Sequence, residues 1–95
     1  MICLAVRLLV KAGHAQEVKD NFAKLVPLSR KEPGCRMYIA HQGIDNPRRF
    51  LVYEQYDDQA ALDLHRNSEH FRQYATNGLY PHVESREAEL YTPLP

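Results

Sequence analysis

Four segments of the chain have hydrophobic patterns typical of β-strands, and two others repeat hydrophobic residues with a helical period. The strands are predicted at residues 2–10, which are largely apolar on both faces, at 35–41 and 50–56, and at 84–91, where the alternation is weak. The helical period covers residues 15–31 and residues 58–66. A second helical piece is expected to begin after Ser68, as its N-cap, and to end at Tyr74 or Ala75.

The residues between and within these segments favour particular starts and stops. Pro27 lies inside the first helical pattern, so it should kink that helix or end its first part. Gly34 is placed to adopt the left-handed conformation that commonly ends a helix. Asp57 or Asp58 is the expected N-cap of the second helix.

The order of the elements is therefore β-α-β-β-α-β, which is typical of the ferredoxin-like α+β fold. We expect one domain over residues 1–95, with a four-stranded antiparallel sheet in the strand order 4-1-3-2 and the helices on one face. The strands are apolar on both faces, as in Ile2–Val10, but two helices cover only one face. A second copy of the same sheet is the simplest cover, so we expect a homodimer joined through the sheet faces.

Composition and charge exclude several classes of partner. The chain has 12 basic and 12 acidic residues, and no basic cluster is interleaved with aromatic residues, so no nucleic-acid partner is expected. Ile2–Val10 is the longest apolar run and is interrupted by Arg7, so no membrane span is expected and the location should be cytoplasmic. Cys3 and Cys35 fall in strands that are not neighbours, so both are expected to be small buried side chains rather than a disulfide.

Glu54 and His65 are the residues most suggestive of chemistry. Glu54 lies in the middle of a strand among aromatic residues, where an unpaired carboxylate would be costly to bury. His65 lies on the apolar side of the following helix, with Ala61 and Leu62. If that helix covers the face of the sheet that contains Glu54, the two side chains meet and form a hydrogen bond. Such a pair could be a general base near neutral pH or, with equal weight, a purely structural pair.

Several side chains near this pair are candidates for a substrate pocket. The aromatic candidates are Tyr53, Tyr56, Phe71 and Tyr74, and the polar ones are His70 and Arg36. Metal binding by His65, His70 and Glu54 is disfavoured, because the five-residue spacing of the histidines does not suit a helical ligand pair. No flavin or haem motif is present, so no cofactor and no metal are expected.

Four sequence stretches in the right order resemble a known family. They are Lys31-Glu32-Pro33-Gly34-Cys35 with Tyr38, Arg49-Phe50-Leu51-Val52-Tyr53-Glu54-Gln55-Tyr56, Ala61-Leu62 with His65, and Ser68-Glu69-His70-Phe71. Together they resemble the antibiotic biosynthesis monooxygenase family of small dimeric α+β-barrel proteins, which includes cofactor-independent quinol monooxygenases. The chain has no tryptophan, unlike the haem-degrading members of that family.

The resemblance implies a cofactor-free monooxygenase that oxidises a hydroquinone or phenol with dioxygen. His65 would be the base, Glu54 would orient it, and Tyr56 or Tyr74 would donate to the developing oxyanion. Two alternatives remain at this point: an isomerase of a small phosphorylated keto compound, as in the autoinducer-processing branch of the family, and a dimer that binds a small molecule without turnover.

Overall fold

A computed structural model describes all residues, 1–95, as a four-stranded antiparallel sheet with helices on one face. The strands are β1 (Ile2–Val10), β2 (Cys35–Gln42), β3 (Arg49–Tyr56) and β4 (Val83–Tyr91). The helices are α1 (Ala15–Arg30), α2 (Gln59–Arg66), a π-helix (Phe71–Leu79) and a short 3₁₀ turn (Tyr80–His82). The strand order is β2-β3-β1-β4, so the predicted ferredoxin-like fold and its 4-1-3-2 order are confirmed.

The core lies between the sheet and the helical layer. One parity of each central strand points into it: Leu4, Val6 and Leu8 from β1, and Phe50, Val52, Glu54 and Tyr56 from β3. From α1, Val18, Phe22 and Leu25 meet this surface at the spacing of one helix face. Each such apolar side chain contributes about 1.5–3 kcal/mol by leaving water, so this face fixes how the helices lie on the sheet.

Of the two effects expected of Pro27, an end to the helix is wrong, because α1 continues through the proline to Arg30. Pro27 is exposed, whereas Leu25 and Ser29 on either side of it are buried against the sheet. The packing of that face outweighs the one backbone hydrogen bond that a proline removes, and the carbonyl left without a partner lies on the side that water reaches.

The second helical piece also runs further than Tyr74 or Ala75, to Leu79. Ala75 and Leu79 are almost fully buried in the core, which holds the extra turn in place. Gly78 allows the helix to approach α1 closely, since a β-carbon at that position would collide with the side chain of Asn21. The backbone of this second helical piece is π-helical, and the N–H of Tyr80 donates a hydrogen bond to the carbonyl of Ala75.

The predicted caps and turn glycine are confirmed. Gly34 has a φ of +86°, in the left-handed region. The carboxylate of Asp58 accepts a hydrogen bond of 2.9 Å from the backbone N–H of Ala61 at the start of α2. The Ser68 hydroxyl accepts one of 3.2 Å from the N–H of Phe71, as a cap does.

The other face of the sheet has no helix over it. A shallow groove on this face is lined by Cys3, Ala5, Arg7, Ile39, His41, Leu51, Tyr53, Tyr91, Thr92 and Pro93. Both cysteines have free thiols on strands separated by β3, but Cys35 is only half-buried, so the prediction that both are fully buried is wrong for Cys35. None of the helices is long and apolar enough to cross a membrane.

We expect Gly34→Ala to destabilise the protein more than Gly13→Ala. Both glycines have positive φ, at +86° and +82°, so both substitutions cost about 1–2 kcal/mol of backbone strain. A β-carbon at Gly34 would also lie 2.7 Å from the β-carbon of Ala61, whereas one at Gly13 would meet nothing within 4 Å. Urea unfolding should therefore show the larger loss for Gly34→Ala, and adding Ala61→Gly should recover the excess. Equal losses for the two single variants would contradict this packing.

Candidate functional site

A small cavity lies between the sheet and the helical layer and contains both residues singled out from the sequence. Glu54 and His65 line it together with Tyr38, Arg66, Phe71, Tyr80 and Arg86, and the remaining lining residues are Leu4, Val6, Leu8, Phe22, Leu25, Val52, Ala75 and Leu79. The enclosed volume is about 30 Å³, enough for about two water molecules. The site is therefore mostly apolar, with a few polar groups.

Glu54 is a carboxyl group buried in this apolar setting. It is 3% exposed, and the Tyr56 hydroxyl donates to its Oε1 at 2.5 Å. Burial raises the pKa of Glu54, while the Tyr56 hydrogen bond and the nearby His65 act in the opposite direction. Burial, followed by the adjacent Glu54, also raises the pKa of Tyr56, so the hydroxyl keeps its proton as a donor.

His65 is oriented by Glu32, a residue of the turn between α1 and β2. The Glu32 carboxylate accepts from His65 Nδ1 at 2.9 Å and also from His70 Nε2. The side chains of His65 and Glu32 are only 2% and 6% exposed. Because a carboxylate accepts and does not donate, His65 has its proton on Nδ1, and Nε2 is the free acceptor.

The predicted hydrogen bond between Glu54 and His65 is wrong. Glu54 Oε1 lies 3.8 Å from His65 Nε2, on the same side of the sheet, which is close enough for electrostatic attraction but too far for a hydrogen bond. The reason is that each group has another hydrogen-bond partner: Tyr56 donates to Glu54, and His65 Nδ1 donates to Glu32. His65 is further held by aromatic packing, with its ring 5.1 Å from that of Phe71 and 5.3 Å from that of Tyr38.

Of the predicted pocket residues, only Phe71 lines the cavity. Tyr56 is fully buried behind Glu54, and Tyr74 packs at the edge of the core without reaching the cavity. Neither of these tyrosines is therefore placed to donate to a substrate. His70 binds Glu32 instead of lining the cavity.

Tyr53 and Arg36 do not belong to this site. Tyr53 alternates with Val52 and Glu54 along β3, so it points to the uncovered face of the sheet and lines the groove there. Arg36 is exposed and forms an ion pair with Asp57. The nearness of Tyr53 in sequence to Glu54 is a weaker guide than strand parity. For Arg36 the sequence leaves open a carboxylate partner or an anionic substrate, and the structure gives it a carboxylate partner.

The structure also brings to the site residues that were not predicted from the sequence. Glu32 stands between Lys31 and Pro33, in a turn where an acidic residue is ordinarily solvated. Tyr38 lies in the predicted strand 35–41, and Arg66 directly follows His65. Tyr80 and Arg86 come from the chain after the π-helix, where no motif indicates a site. The only early signal for Glu32 was its place in the stretch Lys31-Glu32-Pro33-Gly34-Cys35.

Two groups of side chains could hold a metal ion. Donor atoms of Glu32, His65 and His70 lie within 4.8 Å of one another, as do those of His14, Glu17 and His82. Histidine nitrogen and carboxylate oxygen are ligands that zinc accepts. The first group contains Glu32 in place of Glu54, the carboxylate considered from the sequence, and both histidines are hydrogen-bonded to Glu32.

Known proteins are similar to this chain over most of its length. The family model described as antibiotic biosynthesis monooxygenase matches residues 1–77. A Bacillus subtilis protein named "Putative monooxygenase YcnE" is 28% identical over 82% of this chain and 82% of its own length. The Escherichia coli protein named "Probable quinol monooxygenase YgiN" is 32% identical over 65% of this chain and 67% of its own length. A crystal structure described as an antibiotic biosynthesis monooxygenase superposes with a TM-score of 0.93 at 26% identity, covering 100% of both chains.

The raised pKa of Glu54 predicts how its replacement changes stability with pH. A carboxyl whose pKa is raised on folding stabilises the fold fully below the unfolded-state pKa, and this contribution is lost as the pH rises through the folded-state value. Glu54→Gln cannot ionise, so its unfolding free energy relative to the parent should increase from about pH 4 to pH 7. Glu69→Gln, at a side chain that is 82% exposed, is the matched control and should show no such trend. A pH-independent difference for Glu54→Gln would contradict the effect of burial.

Proposed function

The chain belongs to the antibiotic biosynthesis monooxygenase family, and from this premise we propose that it oxidises a small electron-rich aromatic, a hydroquinone or a phenol, with dioxygen and without a cofactor. The observation that supports this most is the state of His65. Its Nδ1 is bound to Glu32, and its Nε2 is free on the side of the cavity and of Glu54. The quinol monooxygenase named among the relatives supports the substrate class.

The proposed first step is removal of a phenolic proton by His65 Nε2. The resulting phenolate is a much better electron donor than the phenol, so it can reduce dioxygen directly. The imidazolium that forms keeps its Nδ1–H bond to the Glu32 carboxylate, which stabilises the positive charge. Glu54, 3.8 Å away, is positioned to favour the same charged state when it is ionised.

The overall reaction needs no electrons from outside the substrate. A hydroquinone with a ring C–H and one dioxygen give a hydroxyquinone and one water. One oxygen atom enters the ring, the O–O bond breaks, and the other oxygen leaves with two protons. The substrate supplies all the electrons, so the protein has only to supply a base, an apolar setting and a fixed orientation.

The size of the cavity implies that its mouth opens on binding. A volume of about 30 Å³ is too small for an aromatic ring. Phe71 and Tyr80 are half-buried and contact each other edge to face at 6.1 Å, so their side chains can move without disturbing the sheet. A ring admitted between them would meet His65, whose imidazole already packs against Phe71.

We expect His65→Ala to lower turnover of a hydroquinone, followed as oxygen uptake, by about 100- to 10,000-fold, the usual contribution of a general base. Glu32→Gln should lower turnover less, because its amide oxygen still accepts from Nδ1 but supplies no negative charge. His14→Ala removes an imidazole on the surface, paired with Glu17, and is the matched control.

Melting curves for the three variants separate chemistry from folding. Loss of oxygen uptake in His65→Ala without loss of folded protein supports the base. Activity per folded molecule that is unchanged in His65→Ala would contradict it. Proton exchange into a phosphorylated keto compound, without oxygen uptake by any hydroquinone, would favour the isomerase over the monooxygenase.

We also propose that the protein is a homodimer in which the uncovered sheet faces pack on each other. The groove lined by Ala5, Ile39, Leu51 and Tyr53 supports this, because large apolar groups on this face have no helix above them. Ile39 is 37% exposed, and its removal from water in a second sheet would be favourable.

Replacing an apolar residue of this face by a charged one should dissociate the dimer. Ile39→Lys places an unpaired ammonium group in the proposed interface and should give a monomer in light scattering at micromolar concentration. Ile44→Lys, at a side chain that is 99% exposed in the β2–β3 turn, is the matched control and should stay dimeric. A parent protein that is monomeric under the same conditions would overturn the proposal.

A further inference from the structure

Two arginines line the cavity, and neither has a partner for its charge. Arg66 and Arg86 are the only arginine or lysine side chains among the lining residues. Neither takes part in an ion pair or a side-chain hydrogen bond, whereas Arg36, Arg48 and Arg72 each pair with a carboxylate. The cavity therefore has two exposed arginines in its lining that form no ion pair, and Glu54 is the only carboxyl group in that lining.

The two side chains come from separate elements and line the same cavity. Arg66 is the last residue of α2 and directly follows His65. Arg86 lies on β4 opposite Leu8, a core residue of β1, so it shares the face of the sheet that the helices cover. The residues of β4 from Glu84 onward are exposed, Arg86 among them.

Tyr80 holds Arg86 at the mouth. The guanidinium carbon of Arg86 lies 5.6 Å from the centre of the Tyr80 ring, within the range of a cation–π interaction. Tyr80 also lines the cavity and contacts Phe71, so the guanidinium is held beside the aromatic side chains that a substrate ring must pass. A planar guanidinium in such a position suits a carboxylate or a related oxyanion, which it can bind with two hydrogen bonds.

We propose that Arg66 and Arg86 form an anion subsite, so that the substrate is an electron-rich aromatic that also has a carboxylate or similar oxyanion. The substrate class rests on the proposed function, but the subsite itself does not. The phenolic end would face His65 in the interior, and the anionic end would lie between the two guanidinium groups at the mouth. Both arginines are exposed, so their attraction to an anion depends on direct hydrogen bonds rather than on burial of the charges.

Arg66 has one other role that must be separated from this one. Its positive charge is near enough to Glu54 to act against the raised pKa of that carboxyl. The carboxyl and hydroxyl groups around Arg66 in the cavity are those of Glu54, Tyr38 and Tyr80, and the other nearby titratable group is the imidazole of His65. If Arg66 only balanced Glu54, its removal would change the pH dependence of turnover and leave the binding of anions unaffected.

The test is a binding measurement that does not require turnover. Benzoate and benzyl alcohol have the same ring, but only benzoate is an anion, and their affinities are measured by chemical-shift perturbation of the full chain. Benzoate should bind better than benzyl alcohol, and Arg66→Gln and Arg86→Gln should each weaken benzoate by about tenfold, as expected for a charged hydrogen bond. Binding of benzyl alcohol should stay unchanged, and Arg72→Gln, at an exposed arginine paired with Glu69, should change neither ligand.

Turnover then separates the two proposals. 2,5-Dihydroxybenzoate should show a lower KM than hydroquinone, and the preference should disappear in Arg86→Gln. Benzoate binding that depends on both arginines, with no oxygen uptake from either compound, would support the subsite and reject the proposed function alone. Equal affinity for benzoate and benzyl alcohol would overturn the subsite, and so would variants that weaken both ligands equally. Arg66→Gln that alters only the pH profile would remove Arg66 from it.

Discussion

The hydrogen bonds of one buried carboxylate, Glu32, organise the functional end of this protein. Glu32 lies in the turn between α1 and β2, and it accepts from His65 of α2 and from His70 at the start of the π-helix. The turn therefore meets two helical segments that lie 33 and 38 residues further along the chain. Without it, two imidazoles would be left in the apolar layer with unpaired donors, at a cost of about 1–3 kcal/mol each. The tautomer of His65, and hence which nitrogen is free, depends on the same carboxylate.

Glu54 shows how two acidic residues a few ångströms from one histidine come to differ. Glu32 accepts hydrogen bonds from two nitrogen donors. Glu54 accepts one from the hydroxyl of Tyr56 and lies on the face of the sheet that points into the core. Burial raises the pKa of Glu54, which disfavours its ionised form, whereas Glu32 accepts hydrogen bonds from both histidines. The arrangement places an orienting group on one side of His65 and a buried carboxyl group of raised pKa on the other.

Strand alternation and helix caps made most of the fold predictable. The parity of β3 placed Glu54 and Tyr56 on the covered face, and the helical period of α2 placed His65 above them. Glu32 could not be found in this way, because neither period applies in a turn and its partners are 33 and 38 residues away. Tyr53 was misplaced by ignoring parity. Pro27 and Gly78 have local preferences that packing overrides, so the lengths of their helices had to come from tertiary structure.

The close contact between Gly34 and Ala61 has a consequence for how the site can change over evolutionary time. Gly34 is two residues beyond Glu32, and Ala61 is one helical turn before His65. The contact between Gly34 and Ala61 therefore sets the spacing between Glu32 and His65. A larger residue at either position would separate the turn from α2 without touching any residue of the cavity. Positions 34 and 61 are thus expected to vary together among descendants of this chain. A change at one position alone would first alter the orientation of the His65 imidazole.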